Sequence, residues 1–169
     1  MDCCENKQEK GKKGFWIAAV VGIVIVASAI FLFAGKTTGY PVLDKFDGEM
    51  AIYKSGSCGC CDIYAGYFQR QGNSNVKIIN QESIDGIKKQ YKVPAELESC
   101  HTTIVGDYFV EGHIPLEAVE KLLSEKPDIA GIAMPGMPSG SPGMPGAKTE
   151  DFVIYAVNRD GTYEEFMRM

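Results

Sequence analysis

The stretch "MAIYKSGSCGCCDIYAGYFQRQ", residues 50–71, decides the fold. It opens on a short apolar strand, 50–54, and closes on a helical run, 61–71, in which Ile63, Tyr64, Tyr67 and Phe68 share one face. Between them Cys58, Cys60 and Cys61 crowd into four residues of a chain with six cysteines. They cannot all form disulfides. One peptide link holds Cys60 and Cys61 in a geometry that strains a bond between them. Pairing Cys58 with Cys61 leaves a thiol over. The C-x-x-C spacing also puts sulfur at a helix N-terminus, where unpaired N–H groups and the helix dipole favour thiolate. Thiolate is the form that attacks disulfides and the form that binds metal.

Downstream the pattern alternates. "VKIIN" (76–80) is a second strand, and "ESIDGIKKQY" (82–91) carries Ile84, Ile87 and Tyr91 at helical spacing. "TTIV" and "YFVE" flank Gly106-Asp107, a two-residue hairpin signal. Pro115 opens a third helix whose stripe is Leu116, Val119, Leu122 and Leu123. The order β-α-β-α-β-β-α is that of a thioredoxin-like α/β domain, expected over 49–169. The segment 134–146, "MPGMPSGSPGMPG", admits neither helix nor central strand. "DFVIYAV" and "TYEEF" then make a C-terminal hairpin that extends the sheet.

Upstream, residues 14–34 carry no charge and are long enough to span a bilayer as a helix. Lys7, Lys10, Lys12 and Lys13 precede them, and only Lys36 and Lys45 follow closely. The positive-inside rule makes 1–13 a cytoplasmic basic tail, 14–34 a single-pass anchor in the cell membrane and the rest periplasmic or extracellular. A cleaved signal ending at Ala27-Ser28-Ala29 is the rival, but the apolar run continues through Ile30-Phe31-Leu32-Phe33, as in an uncleaved anchor. Residues 35–48, broken by Gly35, Gly39, Pro41 and Gly48, read as a linker. A net charge of −5 gives no footprint for nucleic acid.

The remaining donors fall where this topology converges. Cys100, in "ESCHTTIV", precedes the third strand, whose start faces the C-x-x-C loop in a thioredoxin-like fold. His101 and His113, the chain's two histidines, lie beside it and one strand further on. Met134, Met137 and Met144 add thioethers. Plainer readings stand beside these: Cys100 as a small buried hydrophobe, the histidines as hydrogen-bonding groups, the Met-Pro-Gly loop as a cover. As a donor set, Cys58, Cys60, Cys61 and Cys100 come first; His101, His113, Met134, Met137 and Met144 come second. Thiolates with thioethers select soft ions, Cu(I) before zinc, and closely spaced thiolates can bridge several ions. Cys3 and Cys4 read first as part of an unstructured polar tail, with an auxiliary soft-metal tail as the second reading.

"CGCC", "SCHT", "EGHIP" and "MPGMPSGSPGM", in that order and spacing, resemble the CopG-like copper-resistance proteins over about residues 50–157. The resemblance implies a thioredoxin-like fold outside the cytoplasm and a copper cluster held by Cys58, Cys60, Cys61 and Cys100. It also implies handling of copper redox state. The chain departs from the family in having Ile63-Tyr64 where a tryptophan is common, and in carrying an anchor where many members have a cleaved signal. The expected function is therefore membrane-anchored copper binding in resistance and homeostasis, with a copper-handling protein as partner. Two alternatives are a thiol–disulfide oxidoreductase using Cys58 and Cys61, and a membrane-tethered copper chaperone. Thioredoxin-type oxidoreductases carry a cis-proline before the third strand; here Cys100-His101 stand there, which favours metal binding over enzymatic exchange.

Overall fold

The computed structural model describes residue 17, residues 20–24 and residues 39–169. The first six of these are helical, and Ile17, Val20, Val21, Ile23 and Val24 are exposed. Among the described residues no helix is long and apolar enough to cross a membrane. The expected tail over 1–13, with Cys3 and Cys4, lies outside the described residues, as does most of the expected anchor. The chain divides into two units, Met1–Thr37 and Thr38–Met169, and everything below concerns the second.

That unit is a mixed α/β domain with one seven-stranded sheet. Its elements are α1 (Pro41–Asp44), β1 (Met50–Ser55), α2 (Gly59–Tyr67, continuing as a π-turn Phe68–Gly72), β2 (Lys77–Gln81) and α3 (Asp85–Gln90). A 3₁₀ turn (Ala95–Leu97) follows, then β3 (His101–Val105), β4 (Tyr108–Glu111), α4 (Leu116–Glu125), β5 (Gly131–Ala133), β6 (Val153–Val157) and β7 (Tyr163–Arg168). Strand order is β2-β1-β3-β4-β5-β6-β7. β1 pairs parallel with β2 and antiparallel with β3; the β3–β4 hairpin turns at Gly106, φ +59°. The β-α-β-α-β-β-α order expected from the sequence is present. The C-terminal hairpin does join the sheet, through a strand the sequence reading lacks. β5 pairs parallel with β4 and antiparallel with β6.

One face of the sheet is covered by α1, α2 and α4, through Leu43, Tyr64, Phe68, Leu116, Val119 and Leu122 among others. The other carries α3 and the 3₁₀ turn, with Val93, Leu97, Ile104 and Phe109. The buried stripe of α2 and its continuation is Cys61, Tyr64, Ala65 and Phe68, the i, i+3, i+4, i+7 pattern. Ile63, expected on that face, sits one position off the stripe and is 59% exposed. In α3 it is Lys88, rather than an apolar residue, that is buried. The expected linker is partly structured. Glu120 of α4 accepts the N–H groups of Val42 and Leu43 at 2.9 and 2.8 Å, and buried Asn73 donates to the carbonyls of Leu43 and Phe46.

Candidate metal centre

The site forms where β1 ends and α2 begins. Cys58 is the N-cap of α2 in extended conformation, with no side-chain oxygen to cap the helix, so sulfur occupies the position a Ser or Asp oxygen commonly takes. Lys54, at the end of β1, is buried and pairs with Asp62 of the first helical turn at 2.8 Å, tying the two ends of the cysteine loop together. Cys58 and Cys61 are joined by a disulfide with a Cα separation of 5.3 Å, while Cys60 and Cys100 are free. Cys60 Sγ lies 3.4 Å from Cys58 Sγ. Cys61 Sγ is 3.7 Å from the Cys100 carbonyl oxygen, a contact that becomes a hydrogen bond only when the disulfide is reduced and Cys61 carries a proton.

Because β3 lies beside β1 antiparallel, its first residue, His101, pairs with Lys54 and brings Cys100 over the loop. The four sulfurs of Cys58, Cys60, Cys61 and Cys100 lie within 4.8 Å of one another. Cys61 and Cys100 belong to a second such group, with one ring nitrogen each from His101 and His113. Cys61 is buried; the other three cysteines keep partial exposure, which opens the cluster to solvent.

His113 Nδ1 lies 2.7 Å from the Pro142 carbonyl, which can only accept, so Nδ1 carries the proton. Nε2 is therefore a lone-pair nitrogen, 3.0 Å from Cys100 Sγ. This hydrogen bond to a carbonyl is the arrangement that orients metal-binding histidines. His101 Nδ1 sits 3.5 Å from the same sulfur, and its Nε2 is buried with no hydrogen-bond partner. Burial, then the neighbouring His113, holds the His101 pKa well below the usual imidazole value, and burial lowers that of His113. Both rings are thus neutral nitrogen donors near pH 7. Burial and the adjacent Cys60 push the Cys100 thiol up to about 11. Metal binding there must release a proton.

Tyr64 holds the rings in place. Its centroid is 4.4 Å from that of His101 and 5.6 Å from that of His113, and its hydroxyl donates to the Ile114 carbonyl at 3.0 Å. Sequence reading placed Tyr64 in the core stripe and missed this second contact. Its signal is a tyrosine three residues after the motif, on the helical face that carries Cys61.

The Met-Pro-Gly loop closes over the site from outside. Ser99 Oγ donates to the Gly136 carbonyl at 2.7 Å, and the Pro142 carbonyl meets His113. Gly143, φ +85°, packs so tightly on α2 that a Cβ there would lie 2.8 Å from the Cys60 carbonyl oxygen. Of the thioether candidates, Met134 is buried in the core cluster, Met137 is exposed and Met144 is half-buried.

Soft sulfurs and neutral imidazoles gathered at a strand-to-helix junction define a small α/β domain with a donor set suited to a soft metal ion. A family model described as "Protein of unknown function, DUF411" matches residues 97–144, a segment that holds Cys100, His101, His113 and Met144. Two solved structures, titled "Copper resistance protein copG", Form 2 and Form 1, each match at 30% identity with a TM-score of 0.66. Each match covers 72% of this chain and 97% of the other. No curated protein matches. The chain belongs to the CopG-like copper-resistance protein family.

Proposed function

We propose that residues 38–169 form a thioredoxin-like domain that binds Cu(I) through Cys58, Cys60, Cys61 and Cys100 as part of copper resistance. The observation that carries this reading is the convergence of four cysteine sulfurs within 4.8 Å, two of them shared with a pair of histidines. That spacing allows one thiolate to bridge two ions, which supports a polynuclear site. His101 and His113 complete the donor set, and Met137 and Met144 stand by on the covering loop. With Cys58 and Cys61 in a disulfide, neither is a thiolate; loading requires two electrons from a reductant of the compartment and release of the thiol protons. In this reading residues 14–34 anchor the domain in the membrane with the site outside the cytoplasm.

The test is anaerobic titration of reduced protein with Cu(I) against a competing chelator. More than one Cu(I) bound tightly per chain is expected. Stoichiometric zinc with no high-affinity copper would remove the copper assignment.

A second reading, disulfide exchange, is favoured by the Cys58–Cys61 disulfide at the helix N-terminus. Catalysed reduction of a protein disulfide by the metal-free dithiol form, lost in Cys58→Ser, would support it.

A further inference from the structure

The face of the sheet opposite the histidines holds a buried ion pair that the donor set does not use. Glu111 is 0% exposed and Lys88 3%, on the sheet face that also carries the apolar cluster of Val93, Leu97 and Phe109. Glu111 Oε1 accepts from Lys88 Nζ and, at 2.6 Å, from the N–H of Ser99; Oε2 accepts from Thr102 Oγ1 at 2.6 Å. Lys88 Nζ also reaches Thr102 Oγ1 at 3.4 Å. One carboxylate therefore grips the chain on both sides of the Cys100-His101 pair. It stands on β4, two residues before His113, where Glu111 and Thr102 are register partners.

Such a pair is a costly way to stabilise a fold. Removing two charges from water costs several kcal/mol per ion, on the order of what their attraction returns, and apolar residues of similar volume commonly serve as well or better. What the pair supplies that apolar residues cannot is direction: fixed bonds to the backbone at 99 and the side chain at 102.

We propose that Lys88 and Glu111 are positioning residues for the metal centre, holding Cys100 Sγ against His113 Nε2 from behind the sheet. This rests on the metal-binding reading above, and its test is arranged to fail separately. The variants are Glu111→Gln, which keeps an acceptor for Ser99, and the double variant Lys88→Met/Glu111→Leu, which removes both charges together. In reduced, metal-free full-length protein, the ¹⁵N shift of His113 Nε2 reports its contact with Cys100. It is expected to move toward that of a free imidazole in both variants. The double variant is expected to melt no lower than the parent. In Cu(I) titrations each variant should lose about 10–100-fold in affinity, the range for loss of a group that orients a ligand.

Folded variants with parental His113 shifts and parental affinity would overturn the proposal. Failure of both to fold would also overturn it, by making the pair a requirement of the fold itself. If the parent binds no copper, the metal reading fails, and the nitrogen shifts still decide whether the pair positions the ring.

Discussion

Cys100 and Cys61 are the two residues common to both candidate donor groups, and of the two Cys100 is the free thiol, within reach of three cysteines and two imidazoles. Replacing Cys100 by Ser removes one of the two shared sulfurs, so the loss of Cu(I) affinity should match that of Cys60→Ser and exceed the ~10–100-fold of an orienting group. A Cys100→Ser protein that kept full copper loading would place the sulfur outside the metal's reach. The thiol's environment gives an independent check that needs no metal. Burial and Cys60 raise its pKa to about 11, and the reactive species is the thiolate. With the Cys58–Cys61 disulfide intact, alkylation of Cys100 should therefore be slow at pH 7 and rise about tenfold per pH unit up to pH 10. The sign follows from the raised value: the neutral thiol persists until pH approaches 11. Peptide mass spectrometry of timed samples measures it, and a rate already level by pH 9 would contradict the buried, proton-bearing thiol. Tyr64→Phe is the milder residue-scale test. It keeps the ring packed against both histidines and loses only the bond to the Ile114 carbonyl, so about 1 kcal/mol of unfolding stability should go, read from the denaturant midpoint.

At the scale of elements, the site is a junction of β1, α2, β3 and the loop after β5, and the loop is the piece most sensitive to volume. Gly143 has φ +85°, and a Cβ there would lie 2.8 Å from the Cys60 carbonyl oxygen and 2.9 Å from the Tyr64 nitrogen. Neither is a flexible side-chain end, so Gly143→Ala must lift the loop from α2 and stretch the bond from His113 to Pro142. A destabilisation of about 1–3 kcal/mol is expected for the strained conformation, with faster exchange of the His113 ring proton. Unchanged stability and exchange would mean that the loop yields freely. How far such elements were legible follows from how local their signals are. The strand–cysteine–helix junction and the hairpin at Gly106 announce themselves within a dozen residues, and the stripe of α4 repeats at helical spacing. β5 does not. Its three residues, Gly131–Ala133, owe their strand geometry to β4 and β6 on either side, and three residues carry no period. The burial of Lys88 was out of reach for the opposite reason. A lysine on a helix next to another lysine reads as a solvent face, and only the carboxylate of Glu111, 23 positions away, makes its burial tolerable. The convergence of Cys100, His101 and His113 on the cysteine loop was legible because antiparallel pairing of β1 with β3 follows from the element order. Tyr64's contact with them was not, because it depends on how far α2 leans over the sheet.

For the whole molecule, the question is what the unit Thr38–Met169 needs from the residues before it. It has its own core, and α1 is fastened to that core by Glu120 and Asn73. Removing residues 1–37 should therefore leave a folded domain with the Cu(I) stoichiometry and affinity of the full chain, and should release it from the membrane fraction. Loss of copper binding on truncation would give the N-terminal unit a part in the site. Retention of the truncated domain in the membrane fraction would deny residues 14–34 the anchoring role proposed for them. Orientation is then settled in the full-length protein with a membrane-impermeant thiol reagent, applied to intact cells or to spheroplasts where an outer membrane exists. The four lysines ahead of the apolar segment argue for an outward-facing domain. In cells starved of copper, Cys60 and Cys100 are the thiols left free beside the Cys58–Cys61 disulfide, and both keep partial exposure, so Cys60 is the expected target and Cys100, held protonated by its raised pKa, should label more slowly. Prior treatment with an impermeant reductant should add Cys58, the partly exposed half of the disulfide, to the labelled set, and Cu(I) should protect the labelled thiols. Labelling confined to Cys3 and Cys4 would mean that the domain faces inward, where a reducing compartment would keep the sulfurs free and no reductant would be needed before copper binds.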